Sequence, residues 1–322
     1  YYLKQLQFLD DIRLIVEKMR FYPKESRQIL INWIDSITID WPISRRRFYG
    51  TEIPIWYCKK CGRAHLPKPG KYYQPWKEKA PFERCDCGSK EFVGEQRTFD
   101  TWFDSSISGL FIIGYFRDEE LFHRAFPPSL RPQGIDIVRN WLYYSTLRTY
   151  LLFKEPAFRM VRLSGMGLDE KGEAMSKSKG NIVHPAGMFQ KYGADAFRFW
   201  SASEAKLGSN YRFSEARVKA AALFITKLWN IARFISSFPV VNENFELAAL
   251  DRMILAQLND LIKECKRGYD ELDVYVPANA VRTFAWNVFA DHYVEAVKSR
   301  AYNQHKEFDE KLQRGAWYTL HT

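Results

Sequence analysis

Apolar residues recur at helical spacing through the first 37 positions. Leu9, Ile12, Ile15 and Met19 mark one amphipathic stretch, Pro23 interrupts it, and Ile29, Leu30, Trp33 and Ile34 mark a second. From Ile53 to Tyr57 the pattern reads as a short strand. Between 58 and about 92, Lys, Pro and Gly dominate, which predicts an irregular module held by something other than a core. From Phe99 to about Ser203, apolar runs alternate with helical periods, and Met160 to Ser164 reads as a strand. That alternation predicts α/β organisation. After Ser214, a fair N-cap, the period is helical throughout. Val218, Ala222, Ile225, Trp229 and Phe234 form one stripe. Ile254, Leu258, Leu261 and Cys265 form a second, and Val281, Ala285, Val288 and Phe289 a third. Residues 214–322 therefore predict an antiparallel helix bundle, with Cys265 as a buried apolar position. No internal repeat is present.

Composition narrows the class. The 322 residues are 46% hydrophobic and 27% charged, enough for two or three domains and incompatible with wholesale disorder. A net charge of +10 makes a polyanion a plausible partner. No run of about 18 apolar residues exists, which excludes a helical membrane span. The opening Tyr1-Tyr2-Leu3-Lys4 carries neither a start Met nor a signal-peptide core, and predicts a chain that begins inside a larger protein.

Four of the five cysteines cluster. Cys58-x2-Cys61 and Cys85-x-Cys87 each sit on a glycine-containing turn, and two such thiolate knuckles can enclose one tetrahedral zinc. The spacing predicts a structural zinc in a reducing compartment, with no open position for chemistry. The second knuckle is one residue shorter than the common form, so its geometry must adjust. His65 is the spare ligand if Cys85 or Cys87 fails to reach. Four free thiols in a loop is the plainer reading, and a segment this poor in apolar residues argues against it.

The segment Glu173-Ala174-Met175-Ser176-Lys177-Ser178-Lys179-Gly180-Asn181 follows the Met160 strand and precedes helical text from Ala186. Ammonium groups, hydroxyls and backbone amides on such a loop suit a triphosphate. Its order resembles the Lys-Met-Ser-Lys-Ser signature of class I aminoacyl-tRNA synthetases, with Ala174 in place of the first lysine. Three further stretches are similar to that family. Trp41-Pro42-Ile43-Ser44-Arg45-Arg46-Arg47 resembles the return into the catalytic domain after the editing insertion, departing from it at Pro42 and Arg46. Asp100-Thr101-Trp102-Phe103-Asp104-Ser105-Ser106 resembles a segment of the valine, isoleucine and leucine enzymes. The run Arg131-Pro132-Gln133-Gly134-Ile135-Asp136-Ile137-Val138-Arg139-Asn140-Trp141 looks like the archaeal-type valyl members. Phe284, Trp286, Asp291-His292-Tyr293 and Lys298 are similar to the valyl anticodon-binding bundle.

The resemblance implies roles. Trp102, Ile137 and Trp141 form the side-chain pocket for valine, and simple core packing of both tryptophans is the plainer alternative. Asp136 accepts from the substrate ammonium or from the adenosine ribose, and Gln133 and Gly134 let the ribose approach the backbone. Met175, Lys177 and Lys179 hold ATP, and Ser176, Lys177 and Ser178 assist the phosphoryl chemistry. Arg45, Arg46 and Arg47 either touch the tRNA acceptor end or pair with internal acids. The basic, aromatic-containing bundle face either grips the tRNA or is simply solvated.

The implied fold is the second half of a Rossmann-type parallel-sheet catalytic domain with a zinc-ribbon insertion, then an α-helical anticodon-binding bundle. The expected divisions are a helical remnant at 1–37, catalytic segments at 38–57 and 93–213, the ribbon at 58–92 and the bundle at 214–322. The six histidines at 65, 123, 184, 292, 305 and 321 include no pair three apart, so the family's His-x-Gly-His signature is missing. A partial chain, inactive alone, is the expectation. The implied activity is valine–tRNA ligation in the cytoplasm by a monomer. ATP, L-valine and tRNA(Val) are its partners, Mg²⁺ and Zn²⁺ its metals, and it has no membrane association. Isoleucyl-tRNA synthetase is the alternative within the class, and a non-catalytic tRNA-binding module the alternative outside it.

Overall fold

The computed structural model describes residues 1–47 and 50–322. Phe48 and Tyr49, which flank the arginine triplet, lie outside the described residues. The chain is mixed α/β followed by a helical C-terminal region, and it divides into two compact units, Tyr1–Val161 and Arg162–Thr322. No helix among the described residues is long and apolar enough to cross a membrane.

In the first unit, helices Leu9–Glu17, Arg27–Asp35 and Tyr143–Phe153 form where the periodicity places apolar side chains on one face. Ile12, Val16, Leu30, Ile34, Leu142, Tyr143 and Leu147 are fully buried there. Each such aliphatic side chain contributes about 1.5–3 kcal/mol by leaving water. Residues 1–37 are not purely helical. Arg20–Tyr22 is an edge strand of a three-stranded sheet in which Met160–Ser164 lies between Arg20–Tyr22 and Leu130–Gly134. Three residues are too short for a periodicity to register, and backbone bonding to Arg159 secures the strand. Tyr2–Leu3 also pairs antiparallel with Trp41–Pro42. The expected strand at 53–57 starts later, at Trp56–Cys58. Pro54 has no N–H for a ladder, and Ile53 bonds instead to the Arg97 carbonyl.

Glu95 ties the chain start to this region. It is 6% exposed and accepts hydrogen bonds from Tyr1 Oη (2.7 Å), Tyr57 Oη (3.2 Å), and both Nε and Nη2 of Arg97. Burial alone would raise its pKa. The Arg97 guanidinium and the amides of Arg97 and Gln96 outweigh that and hold it at about 2.

In the second unit, Gly167–Leu168 pairs parallel with Tyr211–Arg212. Helices Ala194–Glu204 and Glu215–Ile235 share a core of Ala196, Trp200, Phe213, Val218 and Ala221. Ser214 caps the second of these through Oγ, as expected. The buried face runs Val218, Ala221, Phe224, so Trp229 falls outside it and is 69% exposed. The bundle continues through Ala249–Asp270, Tyr275–Thr283, a wide-turned π-helical stretch Phe284–Val294, Glu295–Tyr302 and Glu310–His321. No strand interrupts it among the described residues. Cys265 is half-buried rather than enclosed.

In the first turn of Ala249–Asp270 lies Asp251, with no exposure. It accepts from Tyr293 Oη (2.8 Å), the Ala248 N–H (2.9 Å) and both terminal nitrogens of Arg300, itself 6% exposed. Burial, then the Asp251 charge, pushes the Tyr293 phenol upward, so it remains a donor at every physiological pH.

Two outcomes follow from these charges. Asp251→Asn leaves Arg300 buried without its counter-charge and should cost roughly 3–5 kcal/mol in urea unfolding. The double variant Asp251→Leu/Arg300→Met should cost markedly less, because no lone charge remains. Glu95 has a depressed folded-state pKa, so its stabilisation is present above the unfolded value and is lost as pH falls toward 2. Wild type should lose on the order of 3 kcal/mol between about pH 5 and 2 through this group. Glu95→Gln should lack that part of the slope in acid titrations of thermal stability.

Candidate functional site

Asp100 organises the site in the first unit. It is 6% exposed and N-caps the short helix Thr101–Ser105, its Oδ1 accepting the Trp102 N–H at 3.0 Å. Its Oδ2 accepts from Trp41 Nε1 (3.2 Å) and from Arg45 Nη2. Arg45 therefore pairs with an internal acid, while Arg46 and Arg47 are exposed. Of the two readings of the arginine triplet, the internal one applies to Arg45. Trp41 also stacks on Tyr144, ring centroids 3.7 Å apart.

The helix Thr101–Ser105 presents Trp102, half-buried, on its first turn. Its last residue, Ser105, accepts Trp141 Nε1–H at 3.1 Å. That bond ties the second candidate tryptophan to the helix bearing the first. Trp141 is 7% exposed, stacks on Phe158 (5.6 Å) and carries the Arg131 guanidinium over its ring (3.7 Å). It is anchored on all these sides, so any substrate contact is with the small part left uncovered.

The other candidates come from one strand end. Leu130–Gly134 delivers buried Gln133 and then Gly134, and the tight turn Ile135–Ile137 follows with exposed Asp136 and half-buried Ile137. The chain continues into a π-helical turn, Val138–Leu142, which carries Trp141 and packs on the Thr101 helix. A Cβ on Gly134 would fall 2.3 Å from Asp136 Oδ1, so glycine leaves room for the carboxylate to fold back over the strand end. Ligands of α/β proteins bind at such carboxyl ends of strands. Arg148 was not anticipated. Its guanidinium lies over the Phe103 ring (4.0 Å), donates to the Phe103 carbonyl (2.6 Å), and is lowered to about 10 by burial. Asp100 and Arg131 stood within the quoted motifs without roles; an acid preceding a short apolar helix is the one signal that could have singled out Asp100.

In the second unit, the serine- and lysine-rich segment forms a loop closed by its own bonds. Ala174 is exposed and its backbone pairs with Leu168. Asp169 accepts from the amides of Lys171 (3.0 Å) and Glu173 (2.7 Å) and from Asn181 Nδ2 (2.9 Å). Those bonds, Asn181 foremost, hold its carboxyl below the usual range. Asn181 Oδ1 accepts the Ser176 N–H (2.9 Å), while Ser176 Oγ lies 3.2 Å from Ser178 Oγ and accepts the Lys179 N–H (3.3 Å). Met175 turns inward, its Sδ 3.5 Å from the Val183 amide. Gly180, at φ +67°, completes the turn. Lys179 reaches Glu173 (3.3 Å), an exposed pair of small worth. Lys177 is exposed and has no ion-pair partner among the described residues. Its ammonium is available to an incoming anion.

The four cysteine sulfurs lie within 4.8 Å of one another. Cys58 Sγ is 3.5 Å from Cys87 Sγ, and Cys61 Sγ is 3.6 Å from Cys85 Sγ. Bonds of about 2.3 Å to a central zinc put tetrahedral sulfurs roughly 3.8 Å apart, so the donor set fits that ion. Both sulfurs of the short second knuckle come within that group, and His65 is not among its four donors. It stands outside the sulfur cage, Nε2 3.3 Å from Cys85 Sγ. Burial would raise the Cys58 thiol, but the Cys61 and Lys60 amides and neighbouring thiols bring it down to about 6. At Cys85 the Cys87 amide lowers the pKa, whereas burial and the other thiols carry it up to about 12. The sheet beneath has Trp56–Cys58 between Ala64–His65 and Phe92–Gly94. Its small core is aromatic: Trp56 packs on Tyr73 and Phe82, and His65 on Phe82 and Phe92.

On the bundle, Lys227 pairs with Asp291 (2.5 Å) and lies over the Trp286 ring (4.8 Å). Lys298 pairs with Glu295 at 2.5 Å. Trp229 is the large aromatic left to solvent on the helix Glu215–Ile235.

Comparison with known proteins matches residues 1–214 to the family model "tRNA synthetases class I (I, L, M and V)" and residues 251–322 to "Anticodon-binding domain of tRNA ligase". Among curated relatives, the chain is 51% identical over 99% of its length to a valine–tRNA ligase of Aeropyrum pernix, covering 40% of that protein. It is 49% identical over its whole length to a valine–tRNA ligase of Pyrobaculum aerophilum, covering 41% of it. The chain thus spans about two-fifths of these relatives. The solved methionyl-tRNA synthetase of Mycobacterium tuberculosis, in complex with methionyl-adenylate, shares the fold. It has a TM-score of 0.73 at 22% identity, over 99% of this chain and 57% of that one. A ternary LeuRS–tRNA–LeuAMS complex from Agrobacterium radiobacter gives 0.63 at 22% identity, over 88% and 39%.

Proposed function

The chain belongs to the class I tRNA synthetases, and from that premise we propose that the whole protein is a valyl-tRNA synthetase, charging tRNA(Val) with valine at the expense of ATP. The observation that carries this reading is the 51% and 49% identity to valine–tRNA ligases across 99–100% of the chain. The exposed, unpaired Lys177 on a closed serine loop supports it.

Valine carboxylate attacks the α-phosphorus of ATP, forming valyl-adenylate and expelling pyrophosphate. A terminal ribose hydroxyl of the tRNA then attacks the carbonyl carbon and AMP leaves. Lys177 neutralises charge on the departing phosphates, and Ser176, Ser178 and Lys179 with the loop amides orient their oxygens. Met175 contributes by seating the loop. Mg²⁺, when bound with ATP, supplies further charge neutralisation. Gln133 and Gly134 border the nucleotide, and Asp136 meets the amino acid's ammonium or the ribose. Trp102, Ile137 and the uncovered edge of Trp141 flank the side chain. Trp141 is held by Ser105, Phe158 and Arg131, so it offers a rigid wall with little give for an extra methylene. Overfilling such a space costs about 1–3 kcal/mol. The bundle receives the tRNA stem, with Trp229 and unpaired lysines as the contacting groups. The four cysteines hold one structural zinc.

Valine-dependent ATP–pyrophosphate exchange by the whole protein should exceed exchange with isoleucine, leucine or methionine. Lys177→Ala should reduce it on the order of a hundredfold. Exchange favouring isoleucine would move the protein to the isoleucyl enzymes. Exchange with no amino acid, alongside retained tRNA binding, would support the non-catalytic module instead.

Purified without added metal, the chain should carry one equivalent of zinc, and its removal should unfold the 58–92 segment. A metal-free chain whose 58–92 segment is protected from proteolysis contradicts this.

A further inference from the structure

The two cysteine knuckles differ in length. In the longer one, Cys58-x2-Cys61, the Gly62 N–H closes the turn on the Cys58 carbonyl at 2.8 Å. In the shorter one, Cys85-x-Cys87, the Gly88 N–H closes on the Cys85 carbonyl at 2.8 Å, one residue sooner. The Gly88 amide is thereby committed to an oxygen. A zinc-bound tetrathiolate carries net negative charge in a partly desolvated site, so each N–H aimed at a sulfur matters.

His65 stands beside the sulfur of the short knuckle. Its Nε2 lies 3.3 Å from Cys85 Sγ, within range of an N–H···S bond. The ring is held there by the protein. Ala64–His65 is paired to Trp56–Cys58, with His65 opposite Trp56, and the imidazole packs against Phe82 (5.3 Å) and Phe92 (5.2 Å). The position is thus set by the strand that carries the long knuckle, and it serves the sulfur of the short one.

We propose that His65 is a positioning residue of the metal centre: its Nε2–H donates to the Cys85 thiolate and slows loss of the ion. This inference rests on the zinc reading above. It makes His65 neither a ligand nor a bystander.

The test uses the whole 322-residue chain loaded with zinc, or with cobalt(II) as a spectroscopic probe. His65→Phe keeps a flat ring against Phe82 and Phe92 but removes the donor. Zinc transfer to a chromogenic chelator should be about 10–100-fold faster from this variant. His65→Gln, which can place an amide N–H near the same point, should fall between it and wild type. The cobalt charge-transfer and d–d bands should stay those of a four-thiolate site in all three. Equal release rates for wild type and His65→Phe overturn the inference while leaving the zinc reading intact. A change in the d–d bands of His65→Phe overturns it in favour of His65 as a ligand. His65→Gln releasing as fast as His65→Phe also counts against it, because packing rather than the donor would then be at work. A wild-type chain that takes up neither ion overturns the zinc reading, and this inference with it.

Discussion

A carboxylate withdrawn from water must meet a cation or a set of donors, and the interior of this chain is arranged around that requirement. Asp100 meets Arg45, Glu95 meets Arg97, and Asp251 meets Arg300. Two of these pairs join segments about fifty residues apart in sequence, so each fixes a tertiary relation as well as a charge. Asp100 does most in the first unit. With one carboxylate it starts the helix of Trp102, holds the indole of Trp41 and takes up the first arginine of the triplet. The Trp102 helix then receives Trp141 through Ser105.

The same constraint sorts the basic residues. Several arginines, with their planar fork of donors, are drawn inward to the buried acids or onto rings, as at Arg131 and Arg148. Lysine stays mostly at the surface. Lys177 belongs to that surface group. Its neighbours Ser176, Ser178 and Asn181 are bonded among themselves, which leaves the ammonium as the uncommitted group on the loop. The cysteine module applies a related solution at smaller scale. Its core is a handful of aromatic rings, so sulfur geometry supplies the order that a larger apolar core would otherwise provide.

Long periodic segments were legible from the chain alone. The helices around Ile12, Leu30 and Ile254, the strand Met160–Ser164 and the Ser214 cap all stand where the spacing predicts. Short elements were not. Arg20–Tyr22 has too few residues for a period, and the strand near Ile53 begins later because Pro54 cannot join a ladder. Trp229 shows a different limit. A spacing of about 3.6 admits more than one face, and packing against Ala196 and Trp200 selected the one through Val218 and Ala221.

The sequence by itself determined the kinds of chemistry present: four thiols in two knuckles, a serine–lysine loop between strand and helix, and aromatic residues beside an acid after a Gly. These are local, because the groups that define each motif lie within a few residues of one another. Tertiary structure alone decided which member of each set is engaged. Arg45 and not Arg46 or Arg47 went to Asp100, because Asp100 and Trp41 lie beside it once the strands pair. Trp141 became an anchored wall through Ser105, Phe158 and Arg131, contacts that no spacing encodes. His65 was left outside the sulfur cage because all four sulfurs converge without it. Pairing across tens of residues depends on where the backbone brings each group, and a periodicity of two or 3.6 residues carries no record of that.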